Sequence, residues 1–113
     1  MSCLFCKIID GEIPAKIVYN DEQIMAFADI APQAPLHLLI IPKKHIATIN
    51  DAQIDDAELL GKLVLTAKNL AKEHNLSESG YRLVFNTNSH GGQAVYHIHL
   101  HLLGGRQLAW PPG

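Results

Sequence analysis

Histidine alternates with aliphatic residues three times in His97-Ile98-His99-Leu100-His101-Leu102-Leu103, and few patterns restrict a chain so tightly. A repeat of two is the period of a β-strand, so the three imidazoles are expected on one face and Ile98, Leu100 and Leu102 on the other. The aliphatic face belongs in a core. The imidazole face then looks into a cleft or at a metal. A rise of about 3.3 Å per residue sets successive histidine Cα atoms roughly 6–7 Å apart, close enough for their rings to share a small substrate.

The rest of the chain supplies the scaffold. Apolar positions Leu4, Phe5, Ile8 and Ile9 suit a short helix over residues 4–10 that stops at Asp10-Gly11. Residues 17–19 and 24–28 read as strands around a turn at Asn20-Asp21-Glu22. Residues 36–41 form a stronger strand closed by Pro42. Between 55 and 75, Leu59, Leu60, Leu63, Val64, Ala67, Leu70 and Ala71 recur every three or four positions opposite Lys62, Lys68 and Lys72, which predicts one long helix. Ser79-Gly80 turns the chain into a strand over 81–86, and Ser89-His90-Gly91-Gly92-Gln93 leads into the histidine strand. Strands grouped on either side of one long helix predict an α+β fold with a five-stranded antiparallel sheet. The long helix covers one sheet face, the histidine face stays partly open, and the last strand is placed at an edge or a dimer seam.

A chain of 113 residues with 48% hydrophobic and 18% charged residues fits one globular domain, 1–113. Its formal charge of −2 argues against a nucleic-acid groove, which carries a clustered basic surface. No apolar run reaches the roughly 18–20 residues of a membrane span, and the first residues lack the order of a signal peptide. A cytoplasmic location is therefore expected, with Cys3 and Cys6 reduced or metal-bound.

Four groups carry chemistry. A neutral imidazole in the triplet can attack phosphorus, dividing one displacement into two; the rival is a zinc site, since His-x-His on a strand offers good ligand geometry. Gly91-Gly92-Gln93-Ala94 presents unobstructed backbone N–H groups that suit a phosphate, or simply makes a turn. Asp29 is either a turn cap or a carboxylate for ribose hydroxyls. In the second case Phe5, Ile8, Phe27 and Ile30 form an apolar slot for a base, although core packing explains them equally well. Cys3-x-x-Cys6 is either a pair of idle thiols or half of a zinc site completed by His45 and His97. Four protein ligands would close such a site, making it structural.

The stretch Gly91-Gly92-Gln93-Ala94-Val95-Tyr96-His97-Ile98-His99-Leu100-His101-Leu102-Leu103-Gly104-Gly105-Arg106 resembles the signature of the histidine-triad (HIT) superfamily. Glu12-Ile13-Pro14-Ala15-Lys16, the segment from Asp29 to Pro35 with His37, and Trp110-Pro111-Pro112-Gly113 resemble its HINT branch of nucleoside phosphoramidases. The resemblance covers essentially the whole chain. It implies a homodimer whose two sheets join into a ten-stranded one, and metal-independent hydrolysis of purine nucleoside 5′-phosphoramidates to AMP or GMP and an amine. It further implies that His99 is the nucleophile, with His101 and His37 around the phosphate and leaving group. Asp29 takes the ribose, while Phe5, Ile8, Phe27 and Ile30 flank the base. Asn86, Gly92 and Gln93 line the phosphate side, and the tail with Trp110 reaches the partner's site. Cys3, Cys6, His45 and His97 match the zinc-binding relatives. Many relatives carry serine where this chain has Ala94, so one side-chain bond to phosphate is missing here.

Two further function classes remain open at this level. One is a metallohydrolase using the triplet as ligands. The other is a nucleotide-responsive interaction module in which hydrolysis is incidental.

Overall fold

Five strands, β1 (Ile17–Asn20), β2 (Ile24–Ala28), β3 (Leu36–Pro42), β4 (Tyr81–Val84) and β5 (Leu100–Gly104), form a sheet in the order β1-β2-β3-β5-β4. Every neighbouring pair is antiparallel. The computed structural model describes residues 3–113. Helix α1 (Leu4–Ile9) and helix α2 (Ala57–Glu73) lie on opposite faces of the sheet, and a single turn, α3 (Asn88–Gly91), precedes the histidine segment. The expected α+β architecture is the one observed. The turn between β1 and β2 is set by Asp21, whose carboxylate accepts from the backbone N–H of Gln23 and Ile24 at 2.8 Å each, the local bonding that favours Asp in turns.

β3 explains why the sheet has two cores. Its residues Leu38–Ile41 are all buried, and a strand buried on both faces reads as a continuous apolar run. Leu38 and Ile40 join Ile24, Ala26, Leu100 and Leu102 beneath α2, which contributes Leu63, Ala67, Leu70 and Ala71. Leu39 and Ile41 join Met25 and Phe27 beneath α1, which contributes Phe5 and Ile8. Ile98, Leu100 and Leu102 all enter the α2 core, as the alternation requires.

Several expectations are corrected. β5 begins at Leu100 rather than His97, because residues 97–99 bond elsewhere: the N–H of Ile98 donates to the Ile46 carbonyl at 2.8 Å. β5 lies inside the sheet between β3 and β4, so β1 and β4 are the edges. The histidine face stays partly open, as expected, while α1 and residues Ile13 and Ala15 close the rest of it as the smaller core. The long helix starts at Ala57, preceded by a 3₁₀ turn, Ile54–Asp56; Asp56 there accepts from the Gln53 N–H and from Lys44. Val64 points outward, and β4 stops at Val84, leaving Phe85 and Asn86 outside the ladder.

Candidate active site and metal centre

Residues on one face of β3 and β5 define the site. His37 is paired with Leu103 and Leu39 with His101, so His37 and His101 stand on the same side of the sheet, over the α1 core. Below them α1, residues 13–15 and the loop after β2 enclose a cleft of about 320 Å³. Phe5, Ile8, Phe27, Asp29, Ile30, Ala94, His99 and His101 all line it. The expected base slot, ribose carboxylate and two of the three triad histidines therefore meet in one cavity. Its walls are mostly apolar, with Asp29 and the imidazoles as the polar groups, the composition typical of a small-ligand site.

The hydrogen bonds fix the tautomers. A backbone carbonyl only accepts, so His99, whose Nδ1 lies 2.8 Å from the His97 carbonyl, carries its proton on Nδ1. Its Nε2 is then an unprotonated lone pair with no partner among the described residues. The N–H of Gln33 donates to Nδ1 of His37 at 3.0 Å, which leaves the proton of that ring on Nε2. This Nε2–H donates to Nδ1 of His101 at 2.9 Å. His101 must therefore carry its own proton on Nε2, and that nitrogen is buried with no partner among the described residues. A buried N–H without an acceptor costs on the order of 1–3 kcal/mol, so this group calls for a partner such as a water or a ligand in the cleft.

Burial also sets the charge. Burial lowers the pKa of His99, against a smaller upward pull from its bond to the His97 carbonyl. Burial lowers His37 too, partly offset by the nearby Asp29 carboxylate, whose Oδ2 is 3.5 Å from Nε2. Burial, with His99 and His37 alongside, pushes His101 down to about 4. All three rings are neutral near pH 7, as the tautomer chain needs. Asp29, His37 and His101 do bring three possible ligand atoms together. However, the Gln33 N–H occupies the acceptor nitrogen of His37 and leaves a proton on the other, so His37 is engaged in its hydrogen bond to His101 with the Asp29 carboxylate alongside.

A second cluster fits a metal. Cys3, Cys6, His45 and His97 bring their ligand atoms within 4.8 Å of one another. Nδ1 of His97 lies 3.5 Å from Cys3 Sγ, 3.6 Å from Cys6 Sγ and 3.1 Å from Nδ1 of His45, and the Cys6–His45 distance is 3.4 Å. Zinc bonded at about 2.3 Å to sulfur and 2.0–2.1 Å to nitrogen gives tetrahedral edges of roughly 3.3–3.8 Å, close to these spacings. His97 donates Nε2–H to the Pro42 carbonyl at 2.7 Å, so its lone pair faces the cluster, the outer-shell arrangement common for a ligating histidine. Burial and the adjacent Cys3 push the Cys6 thiol up to about 11; a cation among these groups reverses that preference.

Residues 2–108 match the family described as "Scavenger mRNA decapping enzyme C-term binding". An uncharacterized HIT-like protein of Synechococcus elongatus is 57% identical over 110 residues, 97% of this chain and 96% of that protein. The purine nucleoside phosphoramidase of Escherichia coli K12 is 53% identical over 105 residues, 93% of this chain and 88% of that one. The crystal structure of a HIT family hydrolase from Legionella pneumophila superposes with a TM-score of 0.98 at 70% identity, covering 99% of this chain and 100% of the other. The chain belongs to the histidine-triad family.

Within this histidine-triad protein the triad is divided in two: His99 and His101 line the cleft, while His97 commits its ring to the cysteine cluster. Asn86, Gly92, Gln93 and Trp110 are not among the residues lining the cleft. The side chain of Gln93 is buried and holds its own loop together. Its Oε1 accepts from the Asn88 N–H, and its Nε2 donates to the carbonyls of Ala47 and Val95. Gly92 follows α3 at φ +81°, where a side chain is strained. Trp110 is exposed, and the residue before it, Ala109, accepts from Arg82 at 2.9 Å. Sequence reasoning missed the wall residues Leu39 and Val95, which read as ordinary core positions. It also missed the backbone groups of Gln33 and Pro42, which carry no side-chain signal at all.

Proposed function

We propose that this protein hydrolyses the P–N bond of purine nucleoside 5′-phosphoramidates through a covalent nucleotidyl-His99 intermediate. The observation that carries this reading is the pairing at the cleft: an unprotonated Nε2 on His99 beside a protonated, acceptor-less Nε2 on His101, with ring centroids 4.9 Å apart. A neutral nucleophile next to a hydrogen-bond donor suits attack on an anionic phosphoryl group. The 53% identity to a purine nucleoside phosphoramidase supports the substrate class.

In the first step His99 Nε2 bonds to phosphorus as the P–N bond breaks, and the amine leaves with a proton from solvent. In the second, water displaces the imidazole, releasing nucleoside monophosphate and returning a proton. His101 Nε2–H donates to the phosphoryl oxygens throughout. His37 holds His101 in that tautomer. Asp29 accepts the ribose hydroxyls, and Phe5, Ile8, Phe27 and Ile30 grip the base. Asn86, Gly92 and Gln93 line the phosphate side. The N–H groups of Gly92 and Gln93 already donate to the Ser89 and Asn88 carbonyls, so the Ala94 N–H is the backbone donor assigned to the phosphate, and Trp110 acts from the tail of the partner subunit. No step requires a metal.

The remaining cluster is read as a structural zinc site of Cys3, Cys6, His45 and His97, which closes the coordination sphere and staples α1 to the sheet. Four-residue β4, at the sheet edge, offers unpaired backbone groups. That supports a homodimer with a continuous ten-stranded sheet. No helix among the described residues is long and apolar enough to cross a membrane. With the free cysteines, this supports a cytoplasmic enzyme acting on small nucleotides rather than nucleic acid.

The test is a kinetic comparison of adenosine and guanosine phosphoramidates with dinucleoside polyphosphates, alongside trapping of a labelled adduct from a slow substrate. Expected are rapid phosphoramidate turnover, a labelled protein, and loss of both in His99→Ala. Faster cleavage of the polyphosphates, or an active enzyme that never becomes labelled, refutes the reading.

A further inference from the structure

The two clusters are joined by α1. This helix has six residues, well short of the roughly 12–15 needed for marginal stability alone, so its position depends on what pins it. Cys3 is its N-cap, and Cys3 Sγ accepts from the Cys6 N–H at 3.3 Å. Both sulfurs therefore belong to the four-residue cluster while one also caps the helix. Between them in sequence lie Leu4 and Phe5, and one turn later comes Ile8; all three line the cleft. The Phe5 ring packs edge-on against Phe27, His97 and His99 at centroid distances of 5.3, 6.0 and 5.1 Å. His97 offers a second route: its ring faces the cysteines, while its carbonyl holds Nδ1 of His99.

We propose that a zinc ion at Cys3, Cys6, His45 and His97 and a nucleotide in the cleft tighten each other's binding, with Phe5 and His97 as the positioning residues that carry the coupling. The inference rests on reading the cleft as the nucleotide site and the cluster as the zinc site. An ion that fixes both sulfurs orders α1 and so prepays the ordering of the base wall. A base against Phe5 holds the same helix in the position where its cysteines converge. Coupling of this kind is reciprocal, so the factor measured in one direction must equal that in the other.

The experiment uses the full chain in metal-free and zinc-loaded forms. AMP affinity is measured by calorimetry on both, and zinc affinity by competition with a chromogenic chelator, with and without saturating AMP. Both ratios are expected to agree and to fall within the roughly 5–150-fold span of heterotropic coupling. Hydrogen exchange on the metal-free protein should show release confined to residues 3–15, with β3 and β5 protected. Phe5→Ala should keep one zinc per chain while its coupling factor falls toward one, and Phe5→Tyr should restore it. Equal AMP affinity in the two forms overturns the coupling alone, as does global loss of protection without metal. Failure of the loaded protein to bind AMP, or of the chain to bind zinc stoichiometrically, overturns the underlying reading and the coupling with it.

Discussion

His37 donates its Nε2–H to Nδ1 of His101 across 2.9 Å, and that bond decides which nitrogen of His101 keeps its proton. The direction originates one hydrogen bond further back, in the Gln33 N–H that occupies the other nitrogen of His37. A backbone amide thus governs the protonation pattern of two side chains. His37→Ala removes the donor and frees His101 to adopt the opposite tautomer. Removing one such buried partner costs about 1–3 kcal/mol, so kcat/KM for adenosine phosphoramidate is expected to fall roughly 5- to 150-fold. An unchanged value would detach His37 from the reaction.

Activity should also report the state of His99. Its folded pKa lies below the ordinary 6.5 because of burial, and the nucleophilic role proposed for it needs the unprotonated ring. The rate is therefore expected to be level through pH 7 and to decline only on the acid side of 6.5. A pH profile of kcat/KM checks this, and an acid limb centred above 7 contradicts it.

Stability carries a matching signature from His101. Its folded pKa is near 4 against an unfolded value of about 6.5. Above pH 6.5 both states are neutral and nothing is lost. As pH falls from 6.5 toward 4 the unfolded chain takes up the proton first, and stability drops. The loss is on the order of 1–3 kcal/mol once residual solvation is allowed for. Urea unfolding at pH 7 and pH 5 should show a smaller drop in His101→Asn than in the parent, and identical drops would refute the assignment.

Replacing Cys6 with Ser removes one of the four clustered residues proposed as zinc ligands. Metal analysis is expected to fall from one zinc per chain to a small fraction, with a lower melting temperature that excess chelator reproduces in the parent. Turnover at saturating substrate should persist in both cases, since the chemical step is assigned to His99. Loss of kcat on chelation would place the metal in the chemistry instead.

Ala94 lines the cleft beside His99 and His101 and has no side-chain donor. Ala94→Ser introduces a hydroxyl there, and one added hydrogen bond is worth about 0.5–1.5 kcal/mol. A rise of roughly 2- to 12-fold in kcat/KM is expected. No change would mean that water already fills that role.

Much of this site could be read from the chain because its signals are local. The alternation around His99 announced a polar face, and Ile98, Leu100 and Leu102 do enter the opposite core. Cys3 and Cys6 with His45 and His97 were visible as compatible ligand types. What stayed hidden depends on partners distant in sequence. The Ile46 carbonyl draws Ile98 out of the ladder, and the interior placement of β5 requires β4 to return beyond it. The protons on His37 and His101 depend on a main-chain N–H at Gln33, a group every residue but proline possesses. Gln93 resembled a ligand contact by its neighbourhood, yet its amide is consumed by Asn88, Ala47 and Val95.

β3 sends Leu38 and Ile40 into one core and Leu39 and Ile41 into the other, and it also carries His37. Sliding that strand by a single position would invert every side chain along it, swapping the two apolar sets and removing the imidazole from His101 in the same movement. Misassembly and inactivity are thereby made one event: a chain threaded wrongly cannot persist as a well-packed but miswired enzyme.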